Sequence, residues 1–141
     1  MNDSGGPTRV SILGATGSIG SSTLRVLTHN PEQFAMVSLV AQRNVERLAE
    51  IALRTRAEFV AIADERQFAA LKDHLSGSSI EVGAGGEAVI EAASRQADVV
   101  VSAITGYAGL RSTLAAARSG ANLALANKEA MVTAGTMVRA A

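Results

Sequence analysis

Six short apolar runs alternate with stretches of helical period along this chain. Residues 9–13, 34–40, 59–63, 80–82, 98–103 and 122–126 are rich in Val, Ile, Leu, Phe and Ala, and several show no polar alternation. A strand that is apolar on both sides is buried on both, which is the condition of a parallel sheet covered by helices. Between the runs, Val45, Leu48, Ala49 and Ala52 recur at i, i+3, i+4 and i+7, while Arg43, Glu46, Arg47 and Glu50 face water. Phe68, Leu71, Lys72 and Leu75 repeat the pattern, with Asp64 and Gln67 at the spacing of a capping box. Gly120 has the position of a residue ending the helix of Leu114, Ala117 and Arg118, whereas Gly106 and Gly109 read as a break or turn straight after the fifth strand. The alternation predicts an α/β fold, a Rossmann-like, doubly wound, mainly parallel sheet with helices on both faces. Residues 1–8 are expected to form a flexible tail and residues 9–141 one domain. The helical pattern of Ala130, Met131, Ala134, Met137 and Val138 meets no stop signal, so the chain is expected to be truncated before a further domain.

Composition narrows the range of functions. With 48% hydrophobic and 18% charged residues among 141, the chain has the make-up of a folded domain. Thirteen Lys and Arg balance thirteen Asp and Glu, which leaves no basic field to gather a nucleic acid. The absence of Cys excludes disulfides and thiolate zinc sites, and His29 and His74 are too few for a histidine cluster. No apolar run approaches the ~20 residues of a membrane span, and the first residues lack the charged and apolar regions of a secretory leader. A cytoplasmic protein without a membrane partner is therefore expected.

The candidate chemistry begins at Gly14-Ala15-Thr16-Gly17-Ser18-Ile19-Gly20, directly after the first strand and opening a helix. This is a variant of the dinucleotide loop. Gly14 permits a tight turn, Gly17 lets backbone amides approach a pyrophosphate, and Gly20 lets the helix pack on the strand. The helix start adds unpaired N–H donors and partial positive charge, with Thr16 and Ser18 as hydroxyl contacts. An NAD site has an acidic residue about 20 residues past the glycines. Here the sequence runs Ala41-Gln42-Arg43-Asn44, so Arg43 faces a 2′-phosphate with a planar cationic fork and Asn44 adds an amide, which points to NADP. The sixth strand delivers Asn127, Lys128 and Glu129 to the edge where such sheets bind ligands. Lys128 can neutralise phosphate or polarise a carbonyl, and Asn127 and Glu129 either contact a ribose or nicotinamide or simply cap and charge the last helix.

Taken together, the loop with Ser21-Ser22-Thr23-Leu24, the stretch from Ala41 to Val45, Gly109-Leu110 with Thr113-Leu114-Ala115-Ala116, and Leu125-Ala126-Asn127-Lys128-Glu129 resemble the amino-terminal domain of the 1-deoxy-D-xylulose 5-phosphate reductoisomerases. The resemblance implies a cytoplasmic, homodimeric enzyme of non-mevalonate isoprenoid synthesis. Such an enzyme isomerises and reduces the sugar phosphate to 2-C-methyl-D-erythritol 4-phosphate with NADPH and a magnesium, manganese or cobalt ion. It further implies that Thr16, Gly17, Ser18 and Ile19 line the pyrophosphate, and that Gln42, Arg43 and Asn44 line the 2′-phosphate. Asn127 and Glu129 would lie on the nicotinamide side, and Lys128 near the substrate. No catalytic or metal-ligating residue is expected within this segment, which alone is expected to be inactive. The chain departs from the family at Gln42, where Gly is usual, at Ser112, where Pro is common, and at Ala130-Met131, which replace Ser-Leu. Gln42 calls the close backbone contact at that loop into question. The alternatives are the cofactor domain of a semialdehyde or acyl-phosphate dehydrogenase, which needs a later Cys, and a non-enzymatic NADP-sensing module.

Overall fold

Each apolar run becomes a strand of a single parallel sheet in the computed structural model, which describes residues 6–104 and 106–125. In chain order the elements are β1 (Thr8–Leu13), α1 (Ser18–Thr28), β2 (Phe34–Ala41), α2 (Val45–Thr55), β3 (Phe59–Ile62), α3 (Phe68–His74), β4 (Glu81–Ala84), α4 (Gly86–Ser94), β5 (Val99–Ser102), α5 (Gly106–Arg118) and β6 (Asn122–Leu125). The spatial order is β4-β3-β2-β1-β5-β6. The chain thus winds outward from β1 through β2 and β3 to β4, crosses back by α4 to β5, and winds the other way to β6. That reversal is the topological switch of a doubly wound sheet.

Strand burial follows from helices on both faces. Val37, Leu39 and Val40 of β2 are each at most 1% exposed, although they point to opposite sides. One face carries Val10, Ile12, Met36 and Leu39 against Leu24 and Leu27 of α1, Leu48 and Ile51 of α2 and Leu71 of α3. The other carries Leu13, Val40, Phe59 and Val100 against Ala88, Val89, Ala92 and Ala93 of α4 and Ala116 of α5. The second set of helices presents mostly alanines, so α4 lies close enough to the sheet to touch β1, β2, β3 and β4. Ser11 and Ser38 are wholly buried on the two central strands, and among the described residues their hydroxyls have no hydrogen-bond partner.

α2 shows how the sequence sets helix ends. The Asn44 side chain accepts from the Arg47 amide at 3.2 Å, Glu46 lies in the first turn and Arg54 in the last. The helix closes on Arg56, which adopts φ 57° and ψ 45° and donates its amide to the Ala52 carbonyl. A Cβ in this left-handed region costs about 1–2 kcal/mol, and glycine avoids it. Arg56→Gly is therefore expected to stabilise the domain by about 0.5–1 kcal/mol, less than the full penalty because glycine also loosens the unfolded chain. Thermal unfolding checks this as a rise of about 2–4 °C in Tm, and a lower Tm would contradict it.

Two expectations are corrected. Asp64 and Gln67 do not form a capping box at the start of α3. Asp64 instead caps a single 3-10 turn, Glu65–Gln67, by accepting from the Arg66 amide, while its own amide is taken by the Gln42 carbonyl at 2.9 Å. Gly106 and Gly109 do not break the chain after β5; they lie in the first turns of α5. Burial of Gly109, Ser112, Thr113 and Ala116 on one side of this helix outweighs the poor intrinsic propensity of glycine. Gly120 does end α5 as expected, its amide bonding to the Ala117 carbonyl. Among the described residues no helix is long and apolar enough to cross a membrane.

Candidate functional site

Where the strand order reverses, the connections leaving β1 and β5 diverge, and open α/β sheets bind ligands in the crevice this leaves. A cleft of about 610 Å3 occupies it, extending from Gly14, Thr16 and Gly17 after β1 to Gln42 and Arg43 after β2. Its apolar walls include Val40, Ala41, Ala63 and Ile104, with Gly86, Val89 and Ile90 from α4, and Arg111 joins them from α5.

The glycine bend is anchored to its neighbours at two points. The amides of Gly14 and Ala15 both donate to the Val40 carbonyl, at 2.9 and 2.7 Å, which joins the end of β1 to the end of β2. Gly14 has φ +94°, and a Cβ there would stand 2.9 Å from the Ala103 oxygen, so only glycine lets the ends of β1 and β5 approach this closely. Gly20 serves the packing of α1: a Cβ on it would overlap the Gly14 oxygen and lie 2.8 Å from Ala15 Cα. Gly17 differs from both, since the nearest atom to an added Cβ is 3.7 Å away. Gly17 lines the cleft and meets no close neighbour, so its backbone is open to approach there.

Gly17 is also the N-cap residue of α1, with no side-chain cap and no acidic residue in the first turn. The Ser21 amide bonds to the Gly17 carbonyl, so the amides of Ser18, Ile19 and Gly20 are the helix donors without an internal acceptor. An anion satisfies them and is favoured by the helix dipole. Ile19, 46% exposed, places an aliphatic side chain beside these donors.

The second loop of the cleft follows β2. Gln42, Arg43 and Asn44 are all exposed. Gln42 has no positive φ, and its carbonyl accepts from the Asp64 amide, so the backbone at this position makes no demand for glycine. Asn44 uses its side-chain oxygen to cap α2, which leaves the amide hydrogens for a ligand. Arg43 makes no salt bridge among the described residues, whose pairs are Arg9 with Glu58, Arg47 with Glu50, Arg66 with Asp64, and Arg95 with Glu81 and Glu91. Asp64 follows Ala63 of the cleft wall. It is held below the usual carboxylate range chiefly by the Arg66 side-chain hydrogen bonds, then by the Arg66 amide, with the charge of Arg43 a smaller cause. It is engaged by Arg66, and Arg43 forms no salt bridge with it.

Among the described residues, the cleft is lined by two arginines and no carboxylate. A wider hollow of about 750 Å3 at the β4 edge is lined instead by Glu65, Glu87 and Glu91, which repel an anion. The structure thus brings Gly14, Thr16, Gly17, Gln42 and Arg43 into one cleft, with Ser18 and Ile19 in the first turn of α1 and Asn44 on the loop before α2. Asn127, Lys128 and Glu129 lie outside the described residues. Gly86, Val89, Ile90 and Arg111 were not foreseen as cleft residues. Local periodicity marks them as helix faces, and only the return of the chain across the sheet places them at this edge.

Known proteins agree with this architecture. The 1-deoxy-D-xylulose 5-phosphate reductoisomerase family model matches residues 10–135. The reductoisomerase of Rhodospirillum centenum is 52% identical over 131 residues, which cover 93% of this chain and 33% of that protein. The solved structure of the Zymomonas mobilis reductoisomerase in complex with NADPH superposes with a TM-score of 0.91 at 48% identity, covering 94% of this chain and 35% of the other. A reductoisomerase structure with NADPH, fosmidomycin and magnesium gives a TM-score of 0.88 at 38% identity, covering 94% and 33%. The chain therefore spans about a third of the length of the relatives it matches. A family match over most of the chain, joined to a shared doubly wound fold, means that this chain belongs to the 1-deoxy-D-xylulose 5-phosphate reductoisomerase family.

Proposed function

We propose that this chain is the NADPH-binding part of an enzyme that isomerises and reduces 1-deoxy-D-xylulose 5-phosphate to 2-C-methyl-D-erythritol 4-phosphate. The observation that carries the reading is one cleft holding both the Gly14–Gly17 bend and Arg43, with no carboxylate in its lining among the described residues. In this reading Thr16, Gly17, Ser18 and Ile19 hold the pyrophosphate through the open amides of α1. Arg43 and the Asn44 amide hold the 2′-phosphate, with Gln42 beside them. The apolar walls, Ala41 and Ile90 among them, take the adenine and keep water from it. NADPH when bound supplies the hydride. Asn127 and Glu129 are assigned to the nicotinamide side and Lys128 to the substrate, on the family resemblance.

Homodimer formation, a cytoplasmic location and a choice among magnesium, manganese and cobalt are proposed for the whole enzyme on the same ground. Among the described residues no group of three His, Asp or Glu side chains is placed to hold a metal ion, so no step through a metal is assigned to them. Neither the dehydrogenase reading nor the sensing module is favoured by any observation. Titration of the chain with NADPH and NADH, followed by nicotinamide fluorescence, is expected to show tighter binding of NADPH. Equal affinities would sink the assignment of Arg43 and with it the NADP reading.

A further inference from the structure

We propose that Arg111, which the dinucleotide pattern does not include, is a second cationic contact of the cleft and holds the pyrophosphate from the side opposite the α1 amides. The inference rests on the cofactor reading above and extends it to α5. Strand order carries the argument. Along the carboxyl edge, β1 stands between β2 and β5, so a ligand whose 2′-phosphate meets Arg43 after β2 brings its pyrophosphate to the bend after β1. The next element along that edge is the start of α5, after β5. α1 packs on one face of the sheet and α5 on the other, and donors from the two therefore converge on this point from opposite faces.

The setting of α5 supports the role. The Ser102 and Thr113 hydroxyls are hydrogen-bonded at 2.8 Å in the core, and Ser112 is buried, which fixes the rotation of the helix. Arg111 is left on the wet side, at the rim of the cleft and in its lining. It makes no salt bridge among the described residues. A guanidinium on one side and helix amides on the other satisfy both phosphates of a pyrophosphate with charge-assisted hydrogen bonds.

The test is titration of the chain and its Arg111→Gln and Arg111→Lys variants with NADPH, NADH and 2′-AMP. Arg111→Gln is expected to weaken NADPH and NADH alike, roughly tenfold, leaving their ratio and the affinity for 2′-AMP unchanged. Arg111→Lys is expected to recover part of the loss, and all three proteins are expected to melt at the same temperature because residue 111 is exposed. Unchanged affinity for both dinucleotides in Arg111→Gln overturns the inference. A loss confined to NADPH and 2′-AMP also overturns it, since the side chain would then read the 2′-phosphate. If the unaltered chain binds neither dinucleotide, the cofactor reading itself fails and takes this inference with it.

Discussion

Gly20→Ala is expected to destabilise the domain by about 3 kcal/mol, the upper part of the usual range for overpacking. The added Cβ overlaps the Gly14 oxygen and lies 2.8 Å from both Ala15 Cα and its oxygen. Backbone atoms have no rotamer to escape into, so α1 must lift from β1, loosening Leu24 and Leu27 in the core beneath it. A loss of this size is a large share of the roughly 5–15 kcal/mol that holds a domain folded. Gly17→Ala provides the contrast. With its nearest neighbour 3.7 Å from the new Cβ, it is expected to melt within about 2 °C of the unaltered chain. It is nevertheless expected to lose NADPH affinity, because in the proposed reading the pyrophosphate lies against the Gly17 backbone. Thermal unfolding with NADPH titration separates the two, and a Gly20→Ala protein as stable as the parent would refute the close approach of α1 to the bend.

Arg43→Ala is expected to lower NADPH affinity roughly 10- to 100-fold and to leave NADH nearly unchanged. A charge-assisted hydrogen bond is worth about 1.5–3 kcal/mol, and only NADPH carries the 2′-phosphate that receives it. Arg43 is exposed and unpaired among the described residues, so stability is expected to stay the same. The NADPH loss should shrink as salt rises, because the contact lies at a wet rim. Asn44→Ala is a poor substitute for this experiment, since it also removes the N-cap of α2. An equal fall for both dinucleotides in Arg43→Ala would show that this side chain does not read the 2′-phosphate.

The strands and α2 were legible because their signals are local. A run such as residues 36–41 is apolar on both sides only if both sides are covered, and Asn44 before Val45 caps a helix wherever the helix lies. The loop from Gly14 to Gly20 was legible for a similar reason: its glycines keep a recognisable spacing between a strand and a helix, and the demand on Gly20 comes from Gly14 and Ala15 within the loop itself. Gly106 and Gly109 misled because propensity is also local, while the forces that make α5 a helix are its contacts with β5 and α4. Asp64 misled in the same way. Its amide is claimed by Gln42 across the sheet, which no spacing within residues 64–67 could announce.

By itself the sequence determined which segments form strands and helices, that the sheet is buried on both faces, and where helix amides stand open at the end of β1. These depend on side-chain periodicity and on glycine at fixed offsets, both written within a few residues. Tertiary structure alone decided the strand order, the passage of α4 over the second face, and the meeting of Arg43 with Arg111 and Ile90 in one cleft. The physical reason is that burial rewards any partner of suitable shape, so the pairing of distant apolar surfaces is settled only when the whole sheet packs.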